Sequence, residues 1–181
     1  DMRSHAWSDA CLYVVTLGAE DDDAGADEAE AHVVVTGSGE SARGAGFWMT
    51  LYRQNRTHPV LDEAALTCYL AIAEHMSAVF DEDRPASGSF DEATDVIWTN
   101  DSRGAMDQLL DRQILTTWLN FANGAFGWED LVDTDADGEP DTEFSEVITH
   151  AEAVRLDEAA ERSELEEQKD ILESVNESGG S

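Results

Sequence analysis

The run Asp133-Thr-Asp135-Ala-Asp137-Gly138-Glu139-Pro-Asp141 is the one arrangement in this sequence whose spacing points to a defined chemistry. In a D-x-D-x-D-G pattern alternate carboxylates turn inward, the glycine permits a sharp turn, and the next residue offers a backbone carbonyl. These are oxygen ligands suited to a hard cation, calcium above all. Asp133, Asp135, Asp137, Glu139 and Asp141 are therefore the candidate metal ligands, with Asp141 at the ninth position, where a ligand or its water sits. The twelfth position is Phe144 and not a bidentate Glu, so Glu143 or Glu146 would have to complete the set. The role expected of the ion is structural, bracing the joint between two helices.

Other chemistry finds little support. Cys68 and His75 share a face of one predicted helix, but two turns separate them, about 10 Å along the axis and beyond hydrogen-bond reach. His58 precedes Pro59, and His150 lies in a predicted helix. Histidines so placed are more often structural or exposed than catalytic. There is no G-x-S-x-G, no H-E-x-x-H and no phosphate loop, and Gly37-Ser-Gly39 lacks the third glycine of a dinucleotide fingerprint. Zinc is not expected, for want of a C-x-x-C or of a His pair at ligand spacing. With 41 Asp and Glu, a carboxylate pair for glycoside hydrolysis can be drawn anywhere and so singles out none. No catalytic residue is assigned, and the chain is expected not to be an enzyme.

The acids outnumber 10 Lys and Arg, which gives a formal charge of −31 over 181 residues, and the single lysine is Lys169. Such a charge repels itself in dilute buffer but is screened at the ~3 Å Debye length of molar salt. The acids are spread along the chain between ordinary apolar residues, as expected of a protein from a halophilic archaeon. Hydrophobic residues make up 41%, including five Trp and six Phe, enough for a packed core. No basic patch exists to meet phosphates, so nucleic acid is not an expected partner. No apolar run reaches the 18 residues of a membrane span. The sequence opens on Asp1 and not Met, as a processed precursor or an excised fragment would.

Cys11 and Cys68, 57 residues apart, could close one disulfide, worth about 3–4 kcal/mol by chain entropy, or sit as two separate buried thiols. Three asparagines, Asn55, Asn100 and Asn176, open N-x-S/T sequons where loops or a tail are predicted, and are candidate glycosylation sites. Both features accord with export.

The elements that must position these residues form an α+β, predominantly α, fold. Residues Ala10–Gly18 and Ala31–Gly37 are β-branched and aromatic, of strand length and bounded by glycine, and predict an N-terminal hairpin or short strands. The acidic stretch Glu20–Glu30 reads as the solvated loop between them, or as a weak cation site. Unpaired strand edges can recruit another chain, so itself or another surface protein is the expected partner. Gly37–Gly46 reads as a small-residue linker. A four- to five-helix array follows, with helices predicted over Asp62–Phe80, from a Ser89-x-x-Glu92 capping box to Trp98, over Ser102–Asn123 ending on Asn123-Gly124, over Phe144–Leu156, and over Ser163–Val175 from a Ser163-x-x-Glu166 box. The division is residues 1–45 as the β element, 46–177 as the helical domain, and 178–181 as a flexible tail.

Gly46-Phe47-Trp48, then His58-Pro59, then the helix Asp111-Arg-Gln-Ile-Leu-Thr-Thr-Trp-Leu-Asn-Phe-Ala-Asn-Gly-Ala125 resemble a domain of secreted prokaryotic cell-surface proteins. That domain has a G-[FY]-W-K-x-H-P opening and an R-Q-L-L-A-A-x-L-N-x-x-N-G-A helix. Haloarchaeal members tend to add an Asp-rich loop and an A-E-A-x-x-L segment, matched here by Asp133–Asp141 and Ala151–Leu156. The similarity spans about Gly46–Asn176. Met49-Thr50 replaces the Lys-containing stretch and His58-Pro59 comes late. The Asp-rich loop itself is closer to dockerin or thrombospondin type 3 loops than to an EF-hand. The resemblance implies an extracellular or cell-surface location and supplies no catalytic residue. Arg112 is expected to pair with acids, and Trp48 to anchor the β-to-helix junction, the alternative being an exposed aromatic site for a partner. The expected function is that of an exported, non-enzymatic structural or adhesive protein of a surface, matrix or filament. The alternatives are a secreted hydrolase and a virion or binding protein from the same salt habitat.

Overall fold

The computed structural model describes residues 9–20, 26–54, 61–80, 89–99 and 105–178. Asn55, Asn100, His58, and all of the tail beyond Ser178 lie outside them. Within them the fold is α+β and mostly helical. An antiparallel hairpin of β1 (Cys11–Glu20) and β2 (Ala26–Val35) is followed by α1 (Ala45–Gln54), α2 (Glu63–Met76), α3 (Phe90–Ile97) and α4 (Met106–Asn123). The short strands β3 (Leu131–Val132) and β4 (Thr142–Glu143) come next, and α5 (Phe144–Leu156) and α6 (Arg162–Glu177) close the order.

The described helices number six, where four to five were expected. The extra one is α1, which begins inside the Gly-rich segment read as a linker. Spacing accounts for it: Trp48, Leu51 and Tyr52 recur at helical intervals and all three are buried. The linker is not loose either. The Gly37 and Gly39 amides donate to the Ala122 and Asn123 carbonyls at the end of α4, at 2.8 and 2.7 Å. Glycine is required where the two segments touch, since a Cβ on Gly37 would stand 2.5 Å from the Asn123 carbonyl oxygen.

Helix α4 is the axis of the molecule. It packs against α1, α2, α3, α5 and α6, and every residue from Gln113 to Ala122 is buried. Leu110, Ile114, Leu115, Trp118 and Leu119 supply its apolar surface, and the polar residues buried with them, Gln113, Thr116, Thr117 and Asn120, are hydrogen-bonded. It ends where expected. Gly124 takes φ +85°, and its amide and that of Ala125 bond back to Phe121 and Asn120.

Two terminal expectations need correction. The box proposed at Ser163 is displaced: the N-cap lies two residues earlier, at Glu161, whose amide donates to the Glu164 carboxylate at 2.7 Å. Helix α6 also runs on through Asn176, whose side chain is 1% exposed. Its amide nitrogen donates to Gln113, and its oxygen accepts from Thr117 and Asn120. A glycan has no room on that nitrogen, so Asn176 is not a glycosylation site of the folded chain.

The hairpin is longer than its apolar segments indicate, because β2 takes in Ala26–Glu30 from the acidic stretch. Leu12 and Val34 at its base pack on the helical core, and Cys11 is disulfide-bonded to Cys68 of α2. The base of the β element therefore packs on the same core as the helices. Farther along β1, Val14 and Leu17 are 56% and 70% exposed, so these side chains are not covered by the helical body.

Candidate metal site

β3 and β4 pair in the register Leu131↔Glu143 and Val132↔Thr142, so Asp133–Asp141 forms the closed tip of a second, very short hairpin. Its base is fixed from below. The first amides of α5, Phe144 and Ser145, donate to the carbonyls of Asp130 and Trp128, a cap made of backbone and not of a side chain. Phe144 is fully buried, stacked on Phe121 at 5.3 Å and against Phe126 at 4.6 Å. This explains the residue that breaks the calcium-loop pattern: the twelfth position serves the aromatic core. The Ser174 hydroxyl donates to the Asp133 carbonyl at 3.1 Å and ties the loop to α6.

Within the loop a staggered series of carboxylate-to-amide bonds sets the backbone. Asp133 accepts from the Asp135 amide at 3.2 Å and the Gly138 amide at 2.8 Å. Asp135 accepts from Asp137 at 3.1 Å, and Asp137 from Glu139 at 2.8 Å. Two residues take left-handed backbone, Ala136 at φ 61° and Gly138 at φ 90°, and only the second has the residue type that favours it. Asp133 is nearly covered. Desolvation pushes its pKa up, but N–H groups of Gly138, Ala136, Asp135 and Asp137 outweigh this and hold the carboxyl below its ordinary range.

Carboxylate oxygens of Asp133, Asp135 and Asp137 lie within 4.8 Å of one another, a set that could hold a metal ion. Each amide bond uses one lone-pair site of a carboxylate that has about four, so the oxygens retain capacity for a ligand. The carboxylates of Glu139 and Asp141 are not part of that set. The Asp141 carboxylate accepts from the Thr134 and Thr142 hydroxyls at 3.0 Å each, and so pins the loop's two ends together. Glu139 contributes its amide, and its side chain is exposed, as are those of Glu143 and Glu146. An open groove of about 760 Å³ runs beside the loop, lined by Asp133, Gly138, Pro140, Phe126 and Ser174.

Three features escaped sequence reasoning. The first is a buried amide network. Asn120 accepts from the Arg43 amide at 2.8 Å and the Trp48 indole at 3.0 Å, and donates to the Arg43 carbonyl and to Asn176, both at 2.9 Å. The second is the buried Glu152 carboxylate, which accepts from the Trp118 indole, the Ser77 hydroxyl and the Ala78 amide. The third is a contact between His32 and His75. The polar residues of the first two were visible on otherwise apolar helix faces, which is the available signal. The third joins elements 43 residues apart and leaves none. Cys68, being disulfide-bonded, is no nucleophile.

No family model, curated protein or solved structure matches this chain.

Proposed function

We propose that this chain is a non-catalytic structural or adhesive component of an extracellular surface, matrix or filament of a halophilic archaeon, joined to neighbours through its hairpin. The observation that carries the reading is the run of β1 beyond the disulfide-bonded base of the hairpin, which presents Val14, Val15 and Leu17 to solvent. Two strands alone bury too little to be stable, and among the described residues no third strand pairs with either edge of this hairpin. Adding a strand from a second copy or another surface protein would satisfy that edge and cover the apolar side chains. The disulfide at the hairpin base supports an oxidising location, and the likeness of Gly46–Asn176 to secreted surface domains supports the same compartment. In this reading calcium sits among Asp133, Asp135 and Asp137 as a structural ion, stiffening the joint between α4 and α5.

The test is the assembly state of the chain in molar KCl, followed by sedimentation and electron microscopy. Wild type is expected to form oligomers or fibres, and Leu17→Asp with Val15→Lys to release monomers of unchanged helicity. A wild-type chain that stays monomeric in concentrated salt and is not captured by purified archaeal envelope would overturn the proposal.

A further inference from the structure

We propose that His32 and His75 form a two-imidazole site for a borderline divalent metal ion of the zinc or nickel class, which clips the hairpin to the end of α2. The two Nδ1 atoms stand 3.3 Å apart, within hydrogen-bond reach of each other when one is protonated, with ring centroids at 4.6 Å and planes inclined by 67°. Two nitrogens bound at about 2.0–2.1 Å to a tetrahedral ion are about 3.3–3.4 Å apart, so the spacing already matches two ligand positions. Imidazole nitrogen is a ligand that zinc, copper and nickel take readily and calcium does not. This makes the site chemically separate from the aspartate loop. Both rings are exposed, which leaves the remaining coordination positions to water.

The fold explains why these two side chains meet. Cys11 and Cys68 join β1 to α2, and Cys11 pairs across the hairpin with Val35. From Val35 back to His32 is about 10 Å of strand, and from Cys68 on to His75 is about 10 Å of helix. Hairpin and helix thus run side by side for an equal length, with the disulfide at one end and the histidine pair at the other. A metal at the second position would hold the hairpin along the whole of this contact and fix the direction in which its outer end points.

The experiment is calorimetric titration of the full chain with ZnCl2 in concentrated KCl, on wild type, His32→Gln, His75→Gln and, as a control, the exposed His150→Gln. One zinc per chain is expected. Affinity should fall at least tenfold in either hairpin-contact variant and stay unchanged in the control, and all three variants are surface substitutions that leave the core intact. Imidazole nitrogen NMR of wild type should show zinc moving the Nδ1 resonances of both His32 and His75. Absence of zinc binding to wild type, equal affinity in His32→Gln and His75→Gln, or an equal loss in His150→Gln would each overturn the assignment.

Discussion

The side chains of Asn120 and Asn176 meet in the interior through a 2.9 Å hydrogen bond, from the α4 amide nitrogen to the α6 amide oxygen. Each of the two amides is shared among several partners, so the pair fastens α6, α4, the Arg43 segment and the Trp48 indole at a single point. The N-x-x-N-G end of the α4 motif thus has a structural meaning. Asn120 receives the entering chain, and Asn123 and Gly124 receive the segment that follows the hairpin.

Replacing Asn120 by Ala leaves several buried donors and acceptors unmatched at once. The expected loss is about 3 kcal/mol, read from urea or thermal unfolding in molar salt. Asn176→Ala should cost a similar amount, and mass analysis of native material should find no glycan at Asn176. A near-neutral Asn120→Ala would show that the network is not what closes α6 onto α4.

Gly124→Ala introduces a side chain at φ +85°, with its Cβ only 2.0 Å from the Gly37 carbonyl oxygen. Both strain and clash act, and the backbone on each side is held by hydrogen bonds. We expect destabilisation of at least about 2 kcal/mol. Gly44→Ala, where a Cβ meets nothing within 4 Å, is the matched control and should change little.

Glu152→Gln keeps the shape of the side chain but replaces one acceptor oxygen with an NH2 that faces donors. The Trp118 indole, Ser77 hydroxyl and Ala78 amide all need an acceptor there. Stability should fall by about 2 kcal/mol on unfolding, and Glu152→Ala should fall further because it also leaves a void.

Calcium at a hundredfold excess over its Kd should raise stability by about 2.7 kcal/mol in molar KCl, seen as a higher Tm. Asp135→Asn and Asp137→Asn should remove that increment while leaving the metal-free Tm nearly unchanged. Asp133→Asn should lower the metal-free Tm as well, because both Asp133 oxygens hold the turn. A calcium response that survives Asp135→Asn and Asp137→Asn would exclude the loop as its source.

Reduction of the Cys11–Cys68 bond should cost about 3–4 kcal/mol by chain entropy. Its signature would be local. Hydrogen exchange should accelerate first in β1 and β2, while the amides of α4 stay protected.

Much of this protein was determined by sequence alone, and what was determined is what local physics decides. Periodic burial and stop signals placed α5 over Phe144–Leu156 and ended α4 at Gly124, because a helix needs an apolar stripe every 3.6 residues and a left-handed residue to finish. The Ser89 cap formed as read, its hydroxyl accepting from the Glu92 amide. The alternating aspartates of 133–137 converged because an Asx turn acts over two residues. Tertiary structure decided the rest. It moved Asp141 onto its threonines, took Asn176 from a presumed tail into the core, and placed Phe144 among aromatic rings where a ligand pattern wanted Glu. It also set His32 against His75. Those outcomes depend on which faces are pressed together across distant stretches of chain, and no local propensity carries that information.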